Sequence, residues 1–126
     1  MNLEKEVQKY MENKNKSVIT ATAYQAEAKK TAIFPAEKAL EYLSLGLVGE
    51  AGEVANKVKK IIRDGTGKLP ADWREQLASE IGDVLWYCAM LADYFDADLG
   101  KLMEDNIDKL QSRKKRGVLG GSGDNR

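Results

Sequence analysis

Residues 36–62 read AEKALEYLSLGLVGEAGEVANKVKKII, and this stretch decides the fold. Leu40, Leu43, Leu47, Ala51, Val54, Val58, Ile61 and Ile62 recur at spacings of three and four, the period of one face of a single long helix. Asp64-Gly65-Thr66-Gly67 ends it, and Pro70 closes the loop. A second run, Leu77, Ile81, Val84, Leu85, Trp86, Met90 and Leu91, predicts a helix over about 73–95, opened by Asp72 with Glu75. It is apolar on most faces and is expected to be the most buried element. Further out, Thr22 with Gln25 fits a capping box that opens a helix to about Thr31. Pro35 suits the start of the long helix, and Asp98 caps a last helix running to about Lys115. Leu3, Val7, Tyr10 and Met11 predict a short amphipathic helix over 3–14. Ser17–Thr22 is partly β-branched but has no second strand to pair with, so it reads as a connector. The expected fold is all-α, a helical bundle. The tail from Gly117 to Arg126 is rich in glycine and is expected to be mobile unless a partner orders it.

Composition narrows the chemistry. The chain has 126 residues, one domain's worth, with 20 basic and 20 acidic side chains and a formal net charge of zero. That balance argues against a nucleic-acid binder. There is no histidine, which excludes His-based triads, His-containing zinc sites and Glu-x-x-His di-iron bundles. One cysteine, Cys88, excludes an internal disulfide and a cysteine-rich zinc site. No run of apolar residues is long enough to span a membrane. The charged N-terminus does not read as a signal peptide, so a cytoplasmic location is expected. Any hydrolytic chemistry must rest on carboxylates, hydroxyls, amines or a hard metal.

The carboxylates supply a candidate. Glu50 and Glu53 lie in the first long helix, and Glu80 and Asp83 in the second. Each pair is spaced i, i+3 and so shares a helix face. If the two helices pack antiparallel, four negative charges gather in a mostly apolar setting. Unpaired buried carboxylates are costly, and neither four-residue motif contains a lysine or arginine. A hard divalent cation, Mg²⁺ or Mn²⁺, would balance them. Gly46, Gly49 and Gly52 on one helix, and Gly82 between the other acidic pair, each cost about 1 kcal/mol relative to alanine. Such losses suit close helix approach or room for a ligand. The competing reading is that these are solvent-facing acidic pairs, as Glu4, Glu6, Glu12, Glu37 and Asp108 are expected to be.

Gly49-Glu50-x-x-Glu53 followed by Glu80-x-x-Asp83 resembles the Glu-x-x-Glu…Glu-x-x-Asp signature of the MazG-like, all-α nucleoside triphosphate pyrophosphohydrolases. Tyr24-Gln25, Asp83-Val84-Leu85-Trp86-Tyr87, Asn106-x-x-Lys109-Leu110-x-x-Arg113 and the tail Gly121-Ser122-Gly123-Asp124-Asn125-Arg126 are similar to family features. The resemblance implies a four-helix core over 17–116; residues 1–16 fall outside it and read as an amphipathic extension, and 117–126 reads as a flexible tail. It implies a homodimer or homotetramer. It further implies Mg²⁺-dependent hydrolysis, with Mn²⁺ as a substitute, of (deoxy)nucleoside triphosphates to monophosphate and pyrophosphate. Glu50, Glu53, Glu80 and Asp83 would be the metal ligands, with Glu53 or Glu80 doubling as general base.

The remaining site residues are less sharply marked. Lys109 and Arg113, i, i+4 on the last helix, with Asn106 beside them, either bind phosphate or form a solvated basic helix end. Tyr87, four residues after Asp83, is either a donor to phosphate or a core aromatic. Trp73 and Trp86 either stack on a base or pack. Lys57 follows Glu53 by four and is expected to pair with it. Gly65-Thr66-Gly67-Lys68 lacks the spacing of a phosphate-binding P-loop. Apolar stripes on 3–14 and 77–91 predict an obligate oligomer. The alternative function is a non-catalytic oligomerisation or regulatory module that binds nucleotide or metal. A metal-buffering bundle is a third reading.

Overall fold

A computed structural model describes residues 4, 5, 8, 9, 12, 16–65 and 69–126. Every regular element among them is helical: α1 (Ala21–Lys29), a 3₁₀ turn (Ala36–Lys38), α2 (Ala39–Asp64), α3 (Trp73–Tyr94) and α4 (Leu99–Lys115). The all-α expectation holds, with the long helices within a few residues of their predicted ends. The apolar positions that predict the N-terminal helix, Leu3, Val7, Tyr10 and Met11, lie outside the described residues, as do Thr66, Gly67 and Lys68.

Helices α2 and α3 share the largest interface, and α1 and α4 both pack on α3 and on each other. Helix α4 makes no packing contact with α2. The core is small: Ala28, Ala39, Leu43, Ala89 and Met90, ringed by Tyr24, Phe34, Trp86, Tyr87, Leu91 and Leu99. It lies at the C-terminal end of α3. Small alanines there let three helices approach closely, and among the described residues Leu43 is the one large side chain wholly enclosed. Helix α3 is therefore buried at one end only. Its buried residues are Ala89, Met90 and Ala92, whereas Ile81 is 53% exposed and Leu85 is half-exposed. Leu45 and Ile62 on α2 are each 74% exposed. Expected to be the most buried element, α3 holds three buried residues among those described, more than any other helix, but all of them lie in its last turns.

The α1 start differs from the predicted one for a physical reason. Thr20, not Thr22, is the cap, accepting from the Ala23 N–H at 3.1 Å. Thr22 instead donates to Asp98 Oδ1 at 2.9 Å, while the Asp98 carboxylate also caps α4 by accepting from the Lys101 N–H at 2.9 Å. Gln25 is not a capping-box residue but a buried clamp. Its amide donates to Ala89 O at 3.2 Å and Ala97 O at 3.0 Å, and its Oε1 accepts from the Leu99 N–H at 3.0 Å. One side chain thus satisfies backbone groups at the α3–α4 corner, where Asp96 adopts a left-handed φ of 55°. Asp72 precedes α3 but makes no side-chain cap.

The glycine-rich tail folds back on the end of α4. Gly117, with φ 71°, breaks the helix, and the Val118 N–H closes on Arg113 O at 2.9 Å. Arg113 is 5% exposed and its Nη2 donates to Asp124 O at 2.8 Å. Arg116 Nη2 donates to Arg126 O at 3.0 Å.

Candidate metal and nucleotide site

Antiparallel packing of α2 on α3 brings Glu50 across to Glu80 and Asp83. Oxygens of these three carboxylates lie within 4.8 Å of one another. Glu80 and Asp83 share a face because they are one turn apart on α3, and Glu50 meets them from α2. The setting is a half-open groove rather than an apolar interior: Glu50 and Glu80 are partly buried and Asp83 is exposed. Glu53, the fourth residue of the signature, is exposed and is not one of the converging three.

The cluster is electrostatically strained on one side. Partial burial, a hydrogen bond to Glu80, and the charges of Asp83, Glu80 and Glu53 push the Glu50 carboxyl above the usual carboxylate range. Glu80 moves the other way, chiefly because Lys57 donates to it. Lys57 Nζ lies 2.8 Å from Glu80 Oε1, so this lysine pairs across the helix interface and not with Glu53, correcting the expectation from its i, i+4 spacing. A converging set of oxygen donors with excess negative charge is the donor set that Mg²⁺ or Mn²⁺ prefers. Glu50, Glu80 and Asp83 fit such an ion.

A cleft of about 320 Å³ opens beside the carboxylates, lined by Glu50, Asp83, Phe34, Tyr42, Trp86 and Tyr87, with Thr31 and Ile33 at its edge. Its aromatic wall is continuous. Phe34 stacks on Tyr42 with ring centroids 5.4 Å apart, Tyr42 leans on Tyr87, and Trp86 meets Tyr87 edge-on at 5.0 Å. The Trp86 Nε1–H donates to Thr31 Oγ1 at 2.8 Å, which fixes the indole. Burial and contact with the Tyr42 hydroxyl, followed by the charges of Glu50 and Asp83, hold the Tyr87 phenol above its ordinary pKa. Gly46 makes this possible: a methyl group at that position would fall inside the Tyr87 ring. Gly49, Gly52 and Gly82 have nothing within 4 Å of where a Cβ would stand. Of the glycines singled out by sequence, one serves close approach, and three lie open.

The structure thus brings together Glu50, Glu80, Asp83 and Tyr87, and puts Trp86 beside them. Trp73 lies elsewhere, at the N-terminus of α3, with the Arg74 guanidinium 5.2 Å above its ring. Asn106 and Lys109 are exposed on α4, and Arg113 is enclosed by the tail. None of these three is among the residues that line the cleft. Sequence reading missed Phe34, Tyr42 and Thr31. A signal for Tyr42 existed: Tyr42, Gly46 and Glu50 recur at i, i+4, i+8, one face of α2. Phe34 and Thr31 sit in a connector, where no period marks them.

The model of the MazG nucleotide pyrophosphohydrolase domain matches residues 38–118, which span α2, α3 and α4. The chain is also 51% identical over 109 residues to the Gene 37 protein of Mycobacterium phage L5, covering 82% of this chain and 96% of the phage protein. No solved structure matches. With more than half of its length matched, including both arms of the carboxylate cluster, the chain belongs to the MazG nucleotide pyrophosphohydrolase family.

Proposed function

We propose that this chain is a Mg²⁺-dependent enzyme, with Mn²⁺ as a substitute, that hydrolyses (deoxy)nucleoside triphosphates between the α and β phosphates. The observation that carries this reading is the convergence of Glu50, Glu80 and Asp83 beside an aromatic-walled cleft. Carboxylates alone repel a triphosphate, so this juxtaposition makes chemical sense for a nucleotide only when a cation stands between them. A divalent ion bound there supplies charge neutralisation and a more acidic attacking water.

The chain's own residues do the rest. Phe34, Tyr42 and Trp86 offer ring faces to a nucleobase, each stacked base–aromatic contact contributing about 1–3 kcal/mol. The Tyr87 hydroxyl faces the carboxylates and donates to the phosphate chain. Glu53 stands one turn from Glu50 on the same helix but outside the converging three, which leaves its carboxylate to take the proton from the attacking water. Glu80 is the alternative base, but its hydrogen bond from Lys57 disfavours it. Attack on the α phosphorus leaves a nucleoside monophosphate in the aromatic cleft and releases pyrophosphate.

Completion of the site by a second copy fits the surface. Leu102, Met103, Ile107 and Leu110 form an exposed apolar stripe on α4, and Leu45, Val48 and Ile62 are exposed on α2. Monomers rarely leave so much apolar surface to water. In a homodimer or homotetramer, Asn106 and Lys109 on that α4 would reach a phosphate held by a neighbour. Arg113 would join them only with the tail lifted. Among the described residues no helix is long and apolar enough to cross a membrane, and a cytoplasmic role in nucleotide-pool housekeeping suits this substrate class. A panel of the eight common nucleotides with Mg²⁺, read by pyrophosphate release, tests the assignment. Hydrolysis in ¹⁸O-labelled water should label the monophosphate. Label in orthophosphate would mean attack on the γ phosphorus and refutes it; nucleotide binding without turnover also refutes it and favours a non-catalytic regulatory module.

A further inference from the structure

The carboxylate cluster carries a cation of its own. Lys57 Nζ, 2.8 Å from Glu80 Oε1, also donates to Gln76 O at 3.3 Å. The pair is shielded, with the Glu80 side chain 14% exposed. Among the described residues, no other ion pair joins a lysine or arginine to Glu50, Glu80 or Asp83. Lys57 and a divalent ion would therefore compete for the same carboxylate.

Lys57 also stands at a boundary. On its other side lies a second cleft, of about 200 Å³, lined by Lys57, Lys60, Trp73 and Gln76. Asp64 lines it as well, and its charge is met by Arg63 Nε at 2.7 Å. Along α2 the order is Tyr42, Glu50, Lys57, Lys60; along antiparallel α3 it is Trp86 and Tyr87, then Asp83 and Glu80, then Gln76 and Trp73. The aromatic cleft and the lysine cleft flank the carboxylates on opposite sides. At a rise of about 1.5 Å per residue, Lys60 lies about 15 Å along the axis from Glu50, within the reach of an extended triphosphate and a flexible lysine.

We propose that Lys57 is the resident counter-ion of the cluster, giving up Glu80 when a divalent ion binds and turning to the leaving pyrophosphate in the cleft it shares with Lys60. This rests on the pyrophosphohydrolase reading above. In that reaction a water oxygen forms a bond to the α phosphorus, and the bond from α phosphorus to the α–β bridging oxygen breaks. The electron pair departs on pyrophosphate and the water proton goes to Glu53. Negative charge thus grows on the departing pyrophosphate, and Lys57 and Lys60, at i, i+3 on one face, are the cations that line the second cleft.

The exchange predicts opposite signs in one variant. Manganese alone, titrated into Lys57→Met by calorimetry, should bind about three- to tenfold tighter than to the wild type, because its competitor is gone. Inorganic pyrophosphate, titrated into the manganese-saturated protein, should bind the same variant about three- to tenfold more weakly. Lys57→Arg, which keeps the charge, should return both toward the wild type, and Lys57→Gln replaces Lys57→Met if the latter fails to fold. A merely structural lysine would move both affinities in the same direction; that result, or no change in either, overturns the proposal while leaving the function intact. Absence of manganese binding to the wild type would instead remove the metal-dependent reading itself.

Discussion

The two ends of α3 are built to different standards. Around Ala89, Met90 and Ala92 the helix is enclosed, and Gln25 satisfies the backbone groups of the adjoining corner. Around Glu80 and Asp83 the same helix exposes Ile81 and Leu85, gathers like charges, and opens onto clefts on both sides. A chain that can pack alanine on alanine at one end is able to do so at the other. The contrast teaches that one helix can meet two different packing demands along its length. The enclosed pole of the α2–α3 pair carries the packing, and the open pole carries the carboxylate cluster.

Removing chemistry without touching stability breaks the comparison most sharply. Asp83→Asn or Glu53→Gln should lower Mg²⁺-dependent pyrophosphate release at least about a hundredfold, while circular dichroism and thermal unfolding without metal stay at or above the wild type, since like-charge repulsion is relieved. Activity within a few-fold of the wild type would dissolve the assignment. The reverse experiment targets the finished end. Gln25→Leu leaves Ala89 O, Ala97 O and the Leu99 N–H without their partner and should cost about 2–4 kcal/mol in urea unfolding. Turnover per folded molecule should change little.

Smaller effects sharpen the boundary between the poles. Gly46→Ala should destabilise by about 1–3 kcal/mol through its clash with the Tyr87 ring. Gly49→Ala, in open space, should gain about 0.5–1 kcal/mol, and equal losses at both positions would contradict the notch. Phe34→Ala should weaken binding of a triphosphate by about tenfold while leaving manganese affinity unchanged, as a base-stacking role requires. The mildest effect is on pH. Glu50 holds its proton to higher pH than an ordinary glutamate, and a metal ligand must give that proton up. Manganese affinity should therefore fall as pH drops through the raised Glu50 pKa, and Glu50→Gln should flatten that dependence.

The helices were legible because their period is intrinsic to the chain: Leu40 to Ile62 repeats at three and four whatever surrounds it. The meeting of Glu50 with Glu80 and Asp83 was legible for the same reason, since two i, i+3 pairs on helices joined by a short loop have one natural way to face each other. What escaped depends on tertiary choice. Lys57 had Glu53 one turn away and took Glu80 across the interface, where partial burial makes the pairing stronger. Gln25 looked like a cap because its spacing from Thr22 fits one, yet burial turned it into a clamp. Phe34 lies in a connector, so only the return of that connector over Tyr42 makes it part of a wall. Asn106 and Lys109 lie away from the cleft because α4 makes no packing contact with α2.

The double duty of Asp98, capping α4 while holding Thr22, has a consequence for the order of folding. The α2–α3 hairpin is made of contacts close in sequence, so it can form early and fast. Helix α1, with 9 residues, is too short to persist alone in water. Its anchors, Gln25 to Ala97 and Leu99, and Thr22 to Asp98, close loops of more than seventy residues. Helix α1 must therefore dock last, after the α3–α4 corner exists to receive it. With it comes Thr31, so the hydrogen bond that fixes Trp86 at the aromatic cleft is made at the final step.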